Sequence, residues 1–334
     1  MTENESRPAF LITIDTEGDN LWSRPATITT RNAAFLPRFQ ALCERYGLLP
    51  TYVVNYEMAT SPEFVEFGRD VLARQAGEIG MHLHAWNSPP LVPLTADDNR
   101  YHPYLIEYPL PVLREKTIVM TRLLEETFGV PMRSHRAGRW AFDERYARVL
   151  ASLGYTVDCS VTPYISWRNT PGAPDGSGGS DYREFPDRPY WLDLDDISRP
   201  GASALLEAPM TVQSPPRPAL VRRLSDRLPS SSLPARACDH FWPRTRWLRP
   251  KRGNGSELVD IVRQVLDEGR SCAEFMLHSS EFMPGGSPTF RTESDIERLY
   301  EDLERLFALV GDRFQGQTLA GFAAGFPRPA AEHV

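Results

Sequence analysis

The 334-residue chain has only four cysteines, Cys43, Cys159, Cys238 and Cys272, spread far apart. None has the close-paired spacing of structural zinc or of a redox pair, so they read as reduced core thiols and a disulfide framework is excluded. No apolar run approaches the roughly 20 residues of a membrane span. Residues 1 to 8 are polar and acidic; they lack the basic start and apolar centre of a signal peptide, and a disordered tail on a cytoplasmic protein is expected. Positive charge is also short, with 37 Lys and Arg against 44 Asp and Glu and a net charge of -7. Nucleic acids and anionic membranes require clustered cations, so neither is the expected partner.

What is present is the balance of a water-soluble globular protein with a large core, 41% hydrophobic and 24% charged. Short apolar runs alternate with helical spacing. Strands are predicted at Ala9 to Ile14, Pro50 to Val54, Glu78 to His82, Met132 to Arg136, Tyr155 to Asp158, Ala204 to Glu207 and Ala273 to His278. Helices are predicted at 33–46, 63–75, 111–128, 143–153, 256–268 and 293–309, several of them stopped by glycine (Gly47, Gly129, Gly154). This alternation implies α/β architecture: a parallel sheet wrapped by helices, open or closed into a barrel. One domain over 9–330 is expected, with a loop-rich insertion at about 163–252 where many of the 30 prolines fall. Such punctuation argues against long regular elements there and for loops that wall a binding cleft.

Ionisable residues follow the apolar runs. His82 and His84 flank Leu83, so on a strand both imidazoles face one way and can reach one ion. The plainer reading is a pair of hydrogen-bonded core histidines; their place at a strand end, with acids at another strand end, favours the metal. Asp15 and Glu17 share the two-residue spacing, and two carboxylates at a metal can divide ligation from proton acceptance. With Asp19 they could instead cap a helix. Arg136 could hold a carboxylate ionised. His278, emerging from Phe275-Met276-Leu277, suits a general acid, or is a satisfied core histidine. Trp86, Trp140 and Tyr104 could stack on sugar rings, and so could Tyr164, Trp167, Tyr190 or Trp191 in the proline-rich stretch, although aromatics more often simply fill space.

Taken as a set, Ile14-Asp15-Thr16-Glu17, Glu78-Ile79-Gly80-Met81-His82-Leu83-His84, Arg136-Ala137-Gly138-Arg139-Trp140 and Leu277-His278-Ser279-Ser280-Glu281 resemble the motifs of polysaccharide deacetylases, the NodB-homology or carbohydrate esterase family 4 group. The resemblance implies a distorted, incomplete (β/α) TIM-like barrel and a divalent metal, zinc by expectation. It makes Asp15 the catalytic base, Glu17 a ligand, Arg136 the residue that orients the base, and His278 the acid. The family places its second histidine four residues after the first; here that position is Trp86, and His84 has to substitute. Asp158 is a weak match to the fourth motif. The segments look most like the branch acting in surface-glycan assembly, including lipopolysaccharide O-antigen. That branch implies removal of an acetyl or formyl group from a nucleotide- or lipid-linked amino sugar. Two other readings stand beside it: a carbohydrate-binding barrel that has lost its metal, and a metal-free allantoinase-like amidohydrolase.

Overall fold

Strand β1 (Ala9–Thr16) is buried along its whole length. Alternate side chains of a strand face opposite ways, and here the two faces meet different surroundings. Ala9 and Leu11 enter an inner apolar cluster, whereas Phe10, Ile12 and Ile14 meet the residues of the surrounding helices. The inner column of β1 therefore runs Ala9, Leu11, Thr13, Asp15, apolar at the bottom and acidic at the top.

The computed structural model describes residues 7–25, 27–169, 172, 178–214 and 245–329. Its further strands are β2 (Pro50–Val54), β3 (Glu78–Leu83), β4 (Ser134–Ala137), β5 (Val157–Asp158), β6 (Tyr190–Trp191), β7 (Leu206–Glu207), β8 (Val212–Gln213), β9 (Arg246–Trp247), β10 (Cys272–His278) and β11 (Gln315–Gln317). The main sheet runs β10-β1-β2-β3-β4-β5-β7-β6, with β11 paired to the start of β1. Pairing is parallel except at β6, which lies antiparallel on β7. Helices Leu36–Arg45, Pro62–Ala73, Leu110–Phe128, Glu144–Ser152, Gly255–Asp267 and Glu293–Arg313 connect the strands and bury their apolar stripes against the outer face. Gly129, at φ 71, ends the longest connecting helix of the first half in the left-handed conformation that glycine adopts without strain. The whole is the curled, incomplete α/β barrel expected from the strand-helix alternation.

Two features depart from the sequence reading. The first is at the C-terminus, where the sequence reading placed no element and the structure has β11 and the helix Leu319–Gly325. Leu319, Phe322 and Ala323 plug the bottom of the barrel beside Ala9, Leu11 and Leu206. The second is the proline-rich stretch, which holds β6, β8 and β9 besides the strand expected at Ala204 to Glu207. Beyond β7 the chain crosses the open side of the sheet: Ala208 N–H donates to Asp158 O at 2.8 Å, Met210 N–H to Val161 O at 2.9 Å, and Thr211 N–H to Glu274 O at 3.3 Å. Leu248 N–H then donates to Thr211 O at 2.9 Å, so the gap between β5 and β10 is bridged by backbone hydrogen bonds. Backbone groups buried there must find partners, and this crossing supplies them. Residues 215–244, with Cys238, lie outside the described residues.

Candidate active site

Register assembles the site. Asp15 lies opposite His278 across β1 and β10, and His82 lies opposite Arg136 across β3 and β4. All four inner side chains therefore reach the C-terminal edge of the sheet, where strand-to-helix loops converge. Below them sits a polar layer. Arg136, fully buried, donates to Asp15 Oδ1 at 2.6 Å, to Thr13 Oγ1 at 2.7 Å and to Glu274 Oε1 at 2.5 Å. Burial would raise the Asp15 pKa, but Arg136, then His82 and His278, hold its carboxyl well below the usual carboxylate range. The second acid on Arg136 goes the other way: burial raises Glu274 despite the guanidinium. One cation thus meets two buried acids whose pKa values move in opposite directions.

Glu17, His82 and His84 are buried, and one donor atom from each lies within 4.8 Å of the others. His82 Nδ1 donates to Arg136 O at 3.0 Å; since a carbonyl only accepts, the lone pair is on Nε2, which lies 3.7 Å from Glu17 Oε2. Burial lowers the His82 pKa to about 4, with Asp15 opposing, so the ring is neutral at neutral pH. A backbone carbonyl fixing one nitrogen while the other faces an acid is the usual support of a metal-binding histidine. His84 Nε2 lies 2.9 Å from Glu17 Oε2, and a proton there joins the two side chains where a cation would otherwise stand. Burial would raise the Glu17 pKa, but the His84 hydrogen bond and the His278 charge pull it down, so the acid is an anionic donor. The Glu17 carbonyl is fixed in turn by Asn32 Nδ2 at 2.8 Å and Ser279 Oγ at 2.9 Å. Two imidazoles and a carboxylate form a donor set that suits a divalent ion of zinc type, and the residues fit such an ion with His84 in place of a histidine at 86.

His278 stands across from them. Its Nε2 lies 3.7 Å from both Asp15 Oδ2 and Glu17 Oε1. Nδ1 lies 3.2 Å from Glu281 Oε2 and 3.1 Å from Arg249 Nη2. Burial and Arg249 work against protonation of His278, yet Glu281, Glu17 and Asp15 leave its pKa above the ordinary imidazole value. Glu281 is itself pulled down to about 2 by Arg249 and His278, against its burial.

These groups line a cleft of about 410 Å³, within the range of small-molecule sites. Trp86, Trp140, Tyr104 and Trp167 form part of its wall. The other aromatic candidates do not reach it. Tyr190 and Trp191 sit on edge strand β6 and turn into the interior, where Tyr190 Oη donates to Ile197 O at 2.7 Å and Trp191 Nε1 to Pro327 O at 2.8 Å. Tyr164 Oη donates to Asp187 at 2.8 Å and does not line the cleft. Asp19 receives Arg31 at 2.9 Å and takes no part in the triad. Asp158 belongs to the other face of the sheet, on His135. Sequence reasoning missed Trp22, Arg24, Arg139 and Arg249, all lining the cleft, and the Glu281 partner of His278. Glu281 and Arg139 stood inside recognised segments, at i+3 from each motif residue. Arg249 follows a proline- and arginine-rich stretch with no periodicity, and nothing local distinguishes it.

No protein-family model matches the chain, and no curated protein matches its sequence. Solved structures do match its fold. A protein from Mycobacterium smegmatis named for the polysaccharide deacetylases aligns over 98% of this chain and 96% of its own, at TM-score 0.53 and 15% identity. A protein from Parabacteroides distasonis named as a glycoside hydrolase/deacetylase aligns over 96% and 72%, at 0.59 and 11%. A GH57-type branching enzyme from Pyrococcus horikoshii aligns over 96% and 71%, at 0.51 and 9%. The chain therefore has a polysaccharide deacetylase fold of the NodB type. A protein named as a branching enzyme shares that fold, so the reaction has to be argued from the site.

Proposed function

We propose that the protein is a divalent-metal-dependent hydrolase that removes an N-acyl group, acetyl or formyl, from an amino sugar. One observation carries this reading: an imidazole-imidazole-carboxylate donor set shares its cleft with a carboxylate held by arginine and an imidazole held by a carboxylate. A bound divalent ion, zinc by donor chemistry, would be held by Glu17, His82 and His84 and would supply Lewis-acid polarisation to the amide carbonyl and the attacking water.

The remaining steps belong to the chain. Asp15, kept ionised by Arg136, accepts the proton of the attacking water; a carboxylate without such a partner would be driven toward its neutral form by burial. His278, whose pKa Glu281, Glu17 and Asp15 raise above the ordinary imidazole value against burial and Arg249, donates from Nε2 to the departing amine nitrogen while Glu281 holds Nδ1. Arg136 is a positioning residue and touches no substrate. Trp86, Trp140 and Tyr104 bind the sugar ring, with Trp167 extending the wall. The finer reading places the reaction in cytoplasmic surface-glycan assembly, on a nucleotide- or lipid-linked donor.

The test is release of acetate or formate from N-acetyl and N-formyl amino-sugar donors by purified protein supplied with zinc, cobalt or manganese. Release that a chelator abolishes supports the reading. Absence of release with every ion, alongside intact sugar binding, would leave a non-catalytic carbohydrate-binding barrel.

A further inference from the structure

Three arginines line the cleft, Arg24, Arg139 and Arg249. Arg249 is engaged, with Nη2 at 3.1 Å from His278 and 3.4 Å from Glu281. The other two have no acidic partner among the described residues. Arg139 is half-buried, and among the described residues its Nη2 donates to the neutral Asn99 Oδ1 alone, at 3.2 Å. Arg24 stands on the loop after β1, and its side chain meets no carboxylate among the described residues. Both hold a left-handed backbone, at φ 54 and φ 51, a conformation that strains a non-glycine residue. They come from loops far apart in sequence and converge on one cleft.

This arrangement is unfavourable in the free protein. Burial lowers the Arg139 pKa and the neighbouring Arg24 charge lowers it further, with Tyr104 and the Glu17 carboxylate of the same cleft opposing. A partly desolvated guanidinium with no carboxylate in contact among the described residues, beside a second cation, is stabilised by a bound anion. A carboxylate presents two oxygens and satisfies one guanidinium fork. Two forks from separate loops match the larger oxygen set of a phosphoryl group.

We propose that Arg24 and Arg139 form a phosphoryl-binding subsite in the cleft, which receives the phosphate or diphosphate carried by the substrate. The placement of this subsite relative to the reacting amide rests on the deacetylase reading above. It narrows the substrate to a phosphorylated amino sugar.

Titration calorimetry on the full chain tests this after chelator treatment, so that no bound ion can take the phosphate. The probes are inorganic pyrophosphate and the matched pair N-acetylglucosamine and N-acetylglucosamine 1-phosphate. The 1-phosphate should bind about tenfold or more tightly than the free sugar, and added salt should reduce that preference. Arg24→Met and Arg139→Met should each cut the preference about threefold or more, the double variant should abolish it, and Arg139→Lys should fall between. Retained affinity for the unphosphorylated sugar shows that the variants fold. Uridine diphosphate compared with geranyl diphosphate then assigns a nucleotide or a lipid carrier. Equal affinity for sugar and sugar phosphate, or an undiminished preference in the double variant, would overturn the subsite. Neither readout needs turnover, so a protein that binds the phosphate through these arginines yet releases no acyl group would fail the hydrolase reading alone.

Discussion

Two buried histidine-acid clusters sit on opposite faces of the same sheet, one residue apart on β4. On the inner face, Arg136 reaches Asp15, and His82 and His84 face Glu17 at a cleft. On the outer face, His135 Nδ1 meets Asp158 Oδ2 at 2.5 Å and His135 Nε2 meets Tyr146 Oη at 2.8 Å. Asp158 also receives the Ser160 backbone N–H and hydroxyl, each at 2.9 Å. Both clusters are buried and both contain imidazole and carboxylate, so residue type does not separate them. Satisfaction does. Both nitrogens of His135 are committed and none of its cluster lines the cleft, whereas His82 keeps a lone pair at 3.7 Å from the nearest acid. An imidazole whose nitrogens are both bound to protein groups has nothing left for an ion.

Breaking one cluster at a time should give opposite results. The largest effects on turnover belong to proton transfer: Asp15→Asn and His278→Ala should each lower kcat by about 10² or more with bound metal nearly unchanged, read by steady-state kinetics beside metal analysis. If Asp15→Asn also empties the site, Asp15 is a ligand and its role exchanges with Glu17. Next comes Arg136→Met, which strands Asp15 and Glu274 without their cation. Chemical denaturation should show a loss of about 3 to 5 kcal/mol, since removing one partner of a buried ion pair leaves the other uncompensated.

The outer cluster makes a pH prediction. Burial and the Asp158 charge push the Glu207 pKa well above its ordinary 4.5, so the native state holds a proton that the unfolded chain releases. Stability from this group is complete below the unfolded value and is lost as pH rises toward the folded one. Glu207→Gln should flatten that decline in denaturation midpoints between about pH 5 and 8. A decline as steep as wild type would show that Glu207 is ionised in the fold. The smallest effect is expected from the segment between β8 and β9. Because Val212–Gln213 pairs antiparallel with Arg246–Trp247, residues 215–244 can be replaced by an Asn-Gly turn with little change in thermal midpoint or in release from a small N-acyl amino sugar. A weaker hold on a nucleotide- or lipid-linked donor alone would give the excised residues a part in recognition. Cutting back to 213–250 would be a different experiment, for it removes Arg249 and the Leu248 backbone bridge.

The inner cluster was legible because strand ends are. Asp15, His82 and His278 each close an apolar, β-branched or sulfur-containing run, and period-two spacing alone puts Glu17 and His84 in step with Asp15 and His82. The helices from Pro62 to Phe128 were visible through their stripes and their glycine stop. What was not legible came from pairings distant in sequence. Tyr190 and Trp191 look like exposed aromatics among prolines until β7 gives them a partner strand. His135 and Asp158 look no less chemical than His82, and only the topology shows that their hydrogen bonds close on each other. Gln315 to Gln317 has no apolar character and becomes a strand because the lower half of β1 has an open edge.

Zinc titration of chelator-treated protein, followed by measured stoichiometry in His84→Ala and His135→Ala, puts the contrast between the two faces to the most direct test. The account predicts one ion per chain in the wild type, loss of that ion in His84→Ala, and an unchanged ion with lowered stability in His135→Ala. A wild-type chain that binds no divalent ion, or an ion that survives His84→Ala and leaves with His135→Ala, would contradict it.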